Sequence, residues 1–547
     1  MIDVLLMDAS TTWTWHVVTV AAIAALGFAL ILAAFRRKSD PLSHLSRYEV
    51  APNQFPSAEA LMIHAYHKAS AELHAAAVLI LRLSYHRDKP YVVSGSWRRW
   101  DTVILPPKLF DSIKSLPENE LSFYDALDTR FLHHLTTIKV PWDGGDIPML
   151  RALAMDLQRH LVNHLSDIED EAEHAYDTLV PRCDDGRSDA TVRSMQVETD
   201  LLLDWVEIYP MDILPRILAL VSGRILVGLP LSRDPEFLDL KLNFFRNSFV
   251  AMYILGHYVP APLRSTVAPL MPWIRKLKKA HKRMQAFMTP VINQRQYDHE
   301  QGKKTHSDLL EWVMSNAPPH LRYNVQYQSH AQLITNVASI QSLYVATSHA
   351  WFDVAAHPEC VEELREEWAS VRENSSNGGR LSFEGMAFRT RKLDSFIKES
   401  ARYNPSQLTA LEYITRRDIV LPSSGTLLPK GTYISTSIAS VARDPALYPD
   451  PEIFDPFRFS KLREQCGSEN KFLSHSTGID QLTFGYGRHP CPGRYYATHV
   501  LKIMLAKLIE RYEVRLPDGV ERPKNVENWV ALMPDAKVPV LIKRRNG

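Results

Sequence analysis

The 547-residue chain carries 63 Lys+Arg against 62 Asp+Glu, a net charge of +1, with 45% hydrophobic and 23% charged residues. That is an ordinary globular composition with ample apolar material for a core, so collagen, coiled coil and wholesale disorder are excluded, and no basic stripe invites a nucleic-acid partner. At roughly 150 residues per domain, the length allows about three or four domains or a single large one.

Val17 to Phe35 reads VVTVAAIAALGFALILAAF, 19 residues without a charge. As a helix it spans about 28 Å, close to the thickness of a bilayer core. Arg36, Arg37 and Lys38 follow it, and only Asp3 and Asp8 carry charge before it. The positive-inside rule then puts the C-terminal bulk in the cytosol. A cleaved signal peptide needs its positive charge on the other side. Residues 1–38 therefore read as a single-pass membrane anchor, with Trp13 and Trp15 at the interface.

Residues 39–56 read as a connector containing Pro41, Pro52 and Pro56. Helical periodicity predicts a helix over 57–83, and YVVSGS and WDTVIL predict short strands. Helical patterns dominate from about 147 to 370. Strand and turn patterns occupy 403–445, and the tail VPVLIKR predicts a last strand. The stretches 369–382 and 461–476 read as loops. The expected fold class is mostly α with small β-sheets, and no linker cuts residues 57–547 into separate domains.

Cys183, Cys360, Cys466 and Cys491 are too few and too scattered for a disulfide scaffold, and no CxxC pair occurs. Any metal must use one thiolate or histidines. His133-His134 reads as a solvated pair, and the run from Arg275 to Arg283 as the polar face of a helix.

The most informative stretch is Phe484-Gly-Tyr-Gly-Arg-His-Pro-Cys491-Pro-Gly493-Arg-Tyr-Tyr-Ala497, followed by a helix predicted from about Gly493 to Arg511. Gly485 and Gly487 open backbone conformations closed to other residues. Pro492 is tolerated at a helix start because its missing N–H would have no partner there. Amides of the first turn can then face Cys491 Sγ. The helix dipole, with Arg488 and His489 nearby, favours the metal-binding thiolate.

This loop resembles the haem-binding loop of the cytochrome P-450 superfamily, Phe-x-x-Gly-x-Arg/His-x-Cys-x-Gly. Phe484, Gly487, His489, Cys491 and Gly493 fill its five places. The resemblance implies that Cys491 is the axial ligand of the iron of haem b, a thiolate that pushes electron density toward O–O cleavage. It implies that Phe484 packs beside the haem, that Gly493 lets the helix approach it, and that His489 pairs with a propionate.

Glu399-Ser-Ala-Arg402 lies 92 residues before Cys491 and matches the family's Glu-x-x-Arg motif. Phe454-Asp-Pro456-Phe-Arg458-Phe459 resembles its second arginine motif. Together they imply a buried Glu399–Arg402–Arg458 triad that fixes the loop leading to the haem. Arg224 to Arg233, Ala356-His357-Pro358 and the following Leu364-Arg365-Glu366-Glu367 are similar to microsomal fungal members acting on terpenoids and other secondary metabolites.

The chain departs from the family in two places. Spacing to His357-Pro358 aligns Ala338, Ser339, Gln341 and Ser342 with the oxygen groove. Ala338 and Ser339 are small enough to leave room for O2. Gln341 stands where an acid is common, and Ser342 where threonine is usual. Ser342 reads as the hydroxyl that relays protons, with Gln341 orienting a water; the alternative is a serine bonded to the carbonyl one turn earlier. The family's Trp-x-x-x-Arg motif is absent, which leaves its role to some basic residue between about 100 and 170, Arg159 or His160 among them.

The resemblance implies a monooxygenase that uses O2 and electrons from an NADPH-dependent reductase on a lipophilic small molecule, at the endoplasmic reticulum membrane with its catalytic domain cytosolic. The Gln341/Ser342 pair keeps open an isomerase, dehydratase or desaturase of the same fold.

Overall fold

The computed structural model describes residues 42, 44–49, 89–94, 101–136, 147–180, 205–303, 306–374, 381–422, 424–528 and 531–545. The expected anchor over 1–38 and the expected helix over 57–83 lie outside them. Among the described residues no helix is long and apolar enough to cross a membrane.

In chain order the strands are β1 (Ser46–Glu49), β2 (Tyr91–Ser94), β3 (Thr102–Ile104), β4 (Leu121–Ser122), β5 (Val206–Ile208), β6 (Thr409–Thr415), β7 (Ile419–Val420), β8 (Leu427–Leu428), β9 (Tyr433–Ser437), β10 (Tyr512–Arg515), β11 (Asn525–Asn528), β12 (Ala531–Pro534) and β13 (Val540–Arg544). The helices of eight or more residues are α1 (Phe123–Phe131), α2 (Leu157–Leu179), α3 (Pro210–Leu226), α4 (Pro235–His257), α5 (Pro272–Glu300), α6 (Leu309–Asn316), α7 (Val325–Ala356), α8 (Val361–Glu373), α9 (Arg391–Tyr403) and α10 (Arg494–Arg511). The fold is mostly helical with small sheets, as the sequence patterns predict.

Starts are set by local chemistry. The Ser122, Asp308 and Asn324 side chains accept from the backbone N–H three residues on, at 3.0, 2.9 and 2.9 Å, capping α1, α6 and α7. Pro210 opens α3, where its missing N–H costs nothing.

The chain divides into two compact units. The first comprises Met1–Val140, Arg246–Ala280 and Thr409–Ser440. It holds a six-stranded sheet in the order β1-β2-β3-β9-β6-β4. β3 runs parallel to β9, with Ile104 opposite Ser435. Between β6 and β9 the register shifts at Ala410/Tyr413, and Leu411 takes φ 58°. This bulge accompanies a buried Glu412 that accepts from Arg130 (2.9 Å), Tyr433 (2.8 Å) and Thr409 (3.0 Å). His133 is buried and stacks on Phe131, while His134 is exposed beside Asp128, so only one of that pair is solvated.

The second unit comprises Pro141–Phe245, His281–Leu408 and Val441–Gly547. Its centre is α7, packed against α3 and α10, with α2 packed on both of those. Trp351 of α7 is wholly buried against Tyr176 of α2, whose hydroxyl donates to the Met504 carbonyl of α10 at 2.6 Å. Lys241 is buried too and donates to the Ala219 carbonyl at 2.8 Å. Gly223 makes room for it, since a Cβ there would lie 2.7 Å from Nζ. An antiparallel sheet β10-β13-β5 and the hairpin β11-β12 complete the unit.

Candidate active site

Past its first two residues, α9 turns its charged residues inward. Asp394, Lys398, Glu399 and Arg402 are all buried. A buried charge is tolerable only when paired and hydrogen-bonded. Arg402 makes a bidentate pair with Glu399, 2.7 Å to each oxygen, and Arg458 Nε reaches the same carboxylate at 3.1 and 3.2 Å. Both guanidiniums then donate to carbonyls of the following loop: Arg402 to Ala442 and Pro451, Arg458 to Pro449 and Asp450, and both to Ile453. The structure thus brings the three motif residues together as a clamp on residues 442–453.

A second buried network lies beside it. Lys502 of α10 donates to Asp394 at 2.6 Å, and the Ser474 hydroxyl and amide donate at 2.7 and 2.9 Å. Burial pushes the Asp394 pKa up, but Lys502 and Ser474 outweigh it and hold the carboxyl at about 2. Lys398 donates to the Leu473 carbonyl and to Gln481. These bonds tie α9 and α10 to the chain entering the cysteine loop.

In that loop Gly485 and Gly487 have φ of 74° and 84°, in the left-handed region that favours glycine. The Cys491 amide donates to the Phe484 carbonyl at 2.7 Å, closing the loop on itself. Gln158 of α2 donates to the Pro492 carbonyl at 3.4 Å. Gly493 caps α10 with φ −91°. Cys491 is partly exposed. Its enclosure in the fold pushes the thiol pKa up; the Gly493 amide and the Arg494 guanidinium pull it down. Arg494 thus joins the cations that the loop sequence names near the sulfur, Arg488 and His489. Those two side chains lie beside each other at 3.5 Å.

Two observations test whether a haem suits this loop. Among the described residues no three His, Cys, Asp or Glu side chains are grouped to hold a metal ion. Cys491 would be a lone protein ligand, which suits an iron whose other donors come from a macrocycle. At Gly493 neither contact nor conformation demands glycine, because an added Cβ meets no protein atom within 4 Å and φ is ordinary. A glycine kept clear beside the thiol is the cradle that a flat group requires. The residues fit.

α7 is buried along most of its length, yet Ala338 and Ser342 are exposed and Ser339 and Gln341 partly so. Spacings of three and four residues place them on one face. Ser342 Oγ donates to the Ala338 carbonyl at 2.8 Å, so its hydroxyl proton is engaged one turn back while its lone pairs remain free to accept.

A cytochrome P-450 family model matches residues 195–542. The chain belongs to the cytochrome P-450 family. Family membership implies a haem-iron cofactor and monooxygenase chemistry. The cytochrome P-450 monooxygenase ORF5 of Penicillium roqueforti is 35% identical over 456 residues, covering 81% of this chain and 78% of that one. The monooxygenase ataF of Aspergillus terreus is 30% identical over 544 residues, 98% of this chain and 99% of that one. The solved structure of retinoic-acid-bound cyanobacterial CYP120A1 superposes with a TM-score of 0.59 at 20% identity, over 81% of this chain and 89% of that one, a likeness of fold.

Within this cytochrome P-450 the two residues named for the missing Trp-x-x-x-Arg contact both lie on the first turn of α2. Arg159 is exposed and lies 3.7 Å from Asp156, and His160 stacks on Trp312 at 5.2 Å. Cys360 is buried and Cys466 exposed, both free; Cys183 lies outside the described residues.

One network carries no sequence signal. His349 and Asp353 of α7 meet Arg522, just before β11. Arg522 donates to His349 Nδ1 (3.0 Å) and to Asp353 (2.5 Å), and His349 Nε2 faces the Leu532 carbonyl of β12 at 3.0 Å. Ser400 and Asn404, at the end of α9, donate to the same Asp353. These residues span 183 positions, too far apart for any local pattern to join them.

Proposed function

We propose that this chain is a membrane-anchored haem-thiolate monooxygenase of fungal secondary metabolism, acting on a lipophilic terpenoid or meroterpenoid. Cys491 supplies the axial thiolate of haem b. Phe484, Gly485, Gly487 and Gly493 shape the loop that receives the macrocycle, and Arg488 and His489 answer its carboxylates. When bound, the haem activates O2 with electrons from an NADPH-dependent reductase and oxidises an unactivated C–H bond. Ala338 leaves room for O2, Gln341 orients a water, and Ser342 accepts and passes on a proton while bonded to the Ala338 carbonyl. Val17 to Phe35 holds the protein to the endoplasmic reticulum membrane, the catalytic part facing the cytosol, where apolar substrates partition. The stretches similar to microsomal fungal members, Arg224 to Arg233 and Ala356-His357-Pro358, support the substrate class.

The observation that carries this reading is the lone Cys491 thiol beside Gly493, at the start of α10, in a chain of this family. The test is the reduced, carbon-monoxide-bound absorption spectrum of wild type beside Cys491→Ser. A strongly red-shifted Soret band in the wild type alone supports it; the same band in both proteins sinks it.

The bond from Ser342 to Ala338 favours a second reading, an isomerase, dehydratase or desaturase of the same fold. Turnover without NADPH and O2 would select the isomerase or dehydratase.

A further inference from the structure

Arg494, which holds the Cys491 backbone, has no carboxylate of its own among the described residues. Arg494 Nη1 donates to the Cys491 carbonyl at 3.0 Å, and Nη2 lies 3.4 Å from the Tyr495 hydroxyl. Its guanidinium sits over the Tyr495 ring at 4.6 Å, and the other contact of that ring is the His475 imidazole, centroids 4.5 Å apart. The Tyr495 carbonyl is held in turn by His499 at 2.7 Å. Arg494 is thus fixed by a hydrogen bond, a stacked ring and a supported backbone. No Asp or Glu among the described residues pairs with it, although other part-buried arginines of this unit do have a carboxylate: Arg224 with Asp167, Arg372 with Glu169, Arg522 with Asp353.

A cation held in place without a carboxylate partner leaves its charge unanswered unless something else nearby is negative. His475 cannot supply the charge. It is neutral, its pKa lowered to about 4 by burial, and the Asp394 beyond it is already neutralised by Lys502. The Cys491 sulfur belongs to the residue whose carbonyl Arg494 already holds, and as a thiolate it would supply that charge.

We propose that Arg494 is the counter-ion and positioning residue of the Cys491 thiolate. This rests on the reading of Cys491 as the haem ligand. The guanidinium anchors the Cys491 carbonyl and so fixes the sulfur's approach. Its positive charge offsets the negative charge that the iron–thiolate centre gains on reduction, which raises the reduction potential. No bond forms or breaks. The role is one of orientation and field.

The test is made on the full-length, haem-loaded protein, comparing wild type, Arg494→Gln and Arg494→Lys by the ferric/ferrous midpoint potential and the reduced carbon-monoxide spectrum. Arg494→Gln should lower the midpoint, by roughly 59 mV for a tenfold loss in the one-electron equilibrium constant. Arg494→Lys should recover most of that loss, because it keeps the charge and gives up the fork geometry. Haem loading lost in Arg494→Gln but restored in Arg494→Lys also supports the proposal. A midpoint in Arg494→Gln equal to wild type, or haem loss in both variants, overturns it and leaves Arg494 a packing residue. A wild type without the red-shifted band would instead sink the ligand reading itself, so the two failures are told apart.

Discussion

Arg402 holds Glu399 through two parallel hydrogen bonds of 2.7 Å, with both side chains buried and the carboxylate shared with Arg458. Removing one partner of a buried ion pair typically costs about 3–5 kcal/mol, because the remaining charge is stranded. Glu399→Gln keeps the volume and strands two guanidiniums. Its denaturant midpoint should fall accordingly, with haem content lost at growth temperature. An unchanged midpoint would show that the clamp on residues 442–453 contributes nothing.

Two glycines of the cysteine loop should part company. Gly487→Ala must take φ near 84° and should lose roughly 1 kcal/mol or more of stability. Gly493→Ala meets no protein atom and an ordinary φ, so the polypeptide itself tolerates it. Its defect should appear as reduced haem occupancy, read from the ratio of Soret to protein absorbance. Equal haem loading in Gly493→Ala and wild type would remove the argument for a flat group there.

His349 sets a pH limit. Burial first, and Arg522 second, lower its pKa to about 4 from the usual 6.5. Below about pH 6.5 the unfolded chain takes up a proton that the folded chain refuses. Stability should therefore decline as pH falls from 6.5 toward 4, by up to about 3 kcal/mol from this residue, and level off below that. Denaturant midpoints across this window should slope down toward acid, and His349→Gln should flatten the slope by one proton. A slope identical in the variant contradicts the assignment.

Ser342→Ala removes one hydroxyl from an exposed position and should leave stability within about 0.5 kcal/mol of wild type. If the hydroxyl passes protons, product formed per NADPH consumed should drop roughly tenfold or more. Ser342→Thr should retain coupling. Unchanged coupling in Ser342→Ala would leave the bond to Ala338 as its whole role.

Much of this was legible because it is local. The strands at Tyr91–Ser94, Thr102–Ile104 and Val540–Arg544 follow from alternation, and α10 follows from the Gly/Pro loop before it. The Glu399–Arg402 pair could be read from a three-residue spacing, and Arg458 from its own motif. The electrostatics were less legible. The loop sequence names Arg488 and His489 as neighbours of Cys491, but not Arg494, one residue past the cap, whose guanidinium holds the Cys491 carbonyl. Interior polar residues of α9 look like a solvated face until their partners on α10 and the loop after Phe472 are in place. The His349–Arg522 contact joins two elements with nothing between them in sequence to announce it.

The pairing of Ile104 with Ser435 has a consequence for biosynthesis. β3 emerges from the ribosome some 330 residues before the strand that completes it, which at roughly 5–20 residues per second is about half a minute. Through that interval one edge of the nascent β2-β3 ribbon offers unpaired N–H and C=O groups to any passing strand. Recombinant yield should therefore respond to translation speed, growth temperature and chaperone supply more than to the final stability of the sheet.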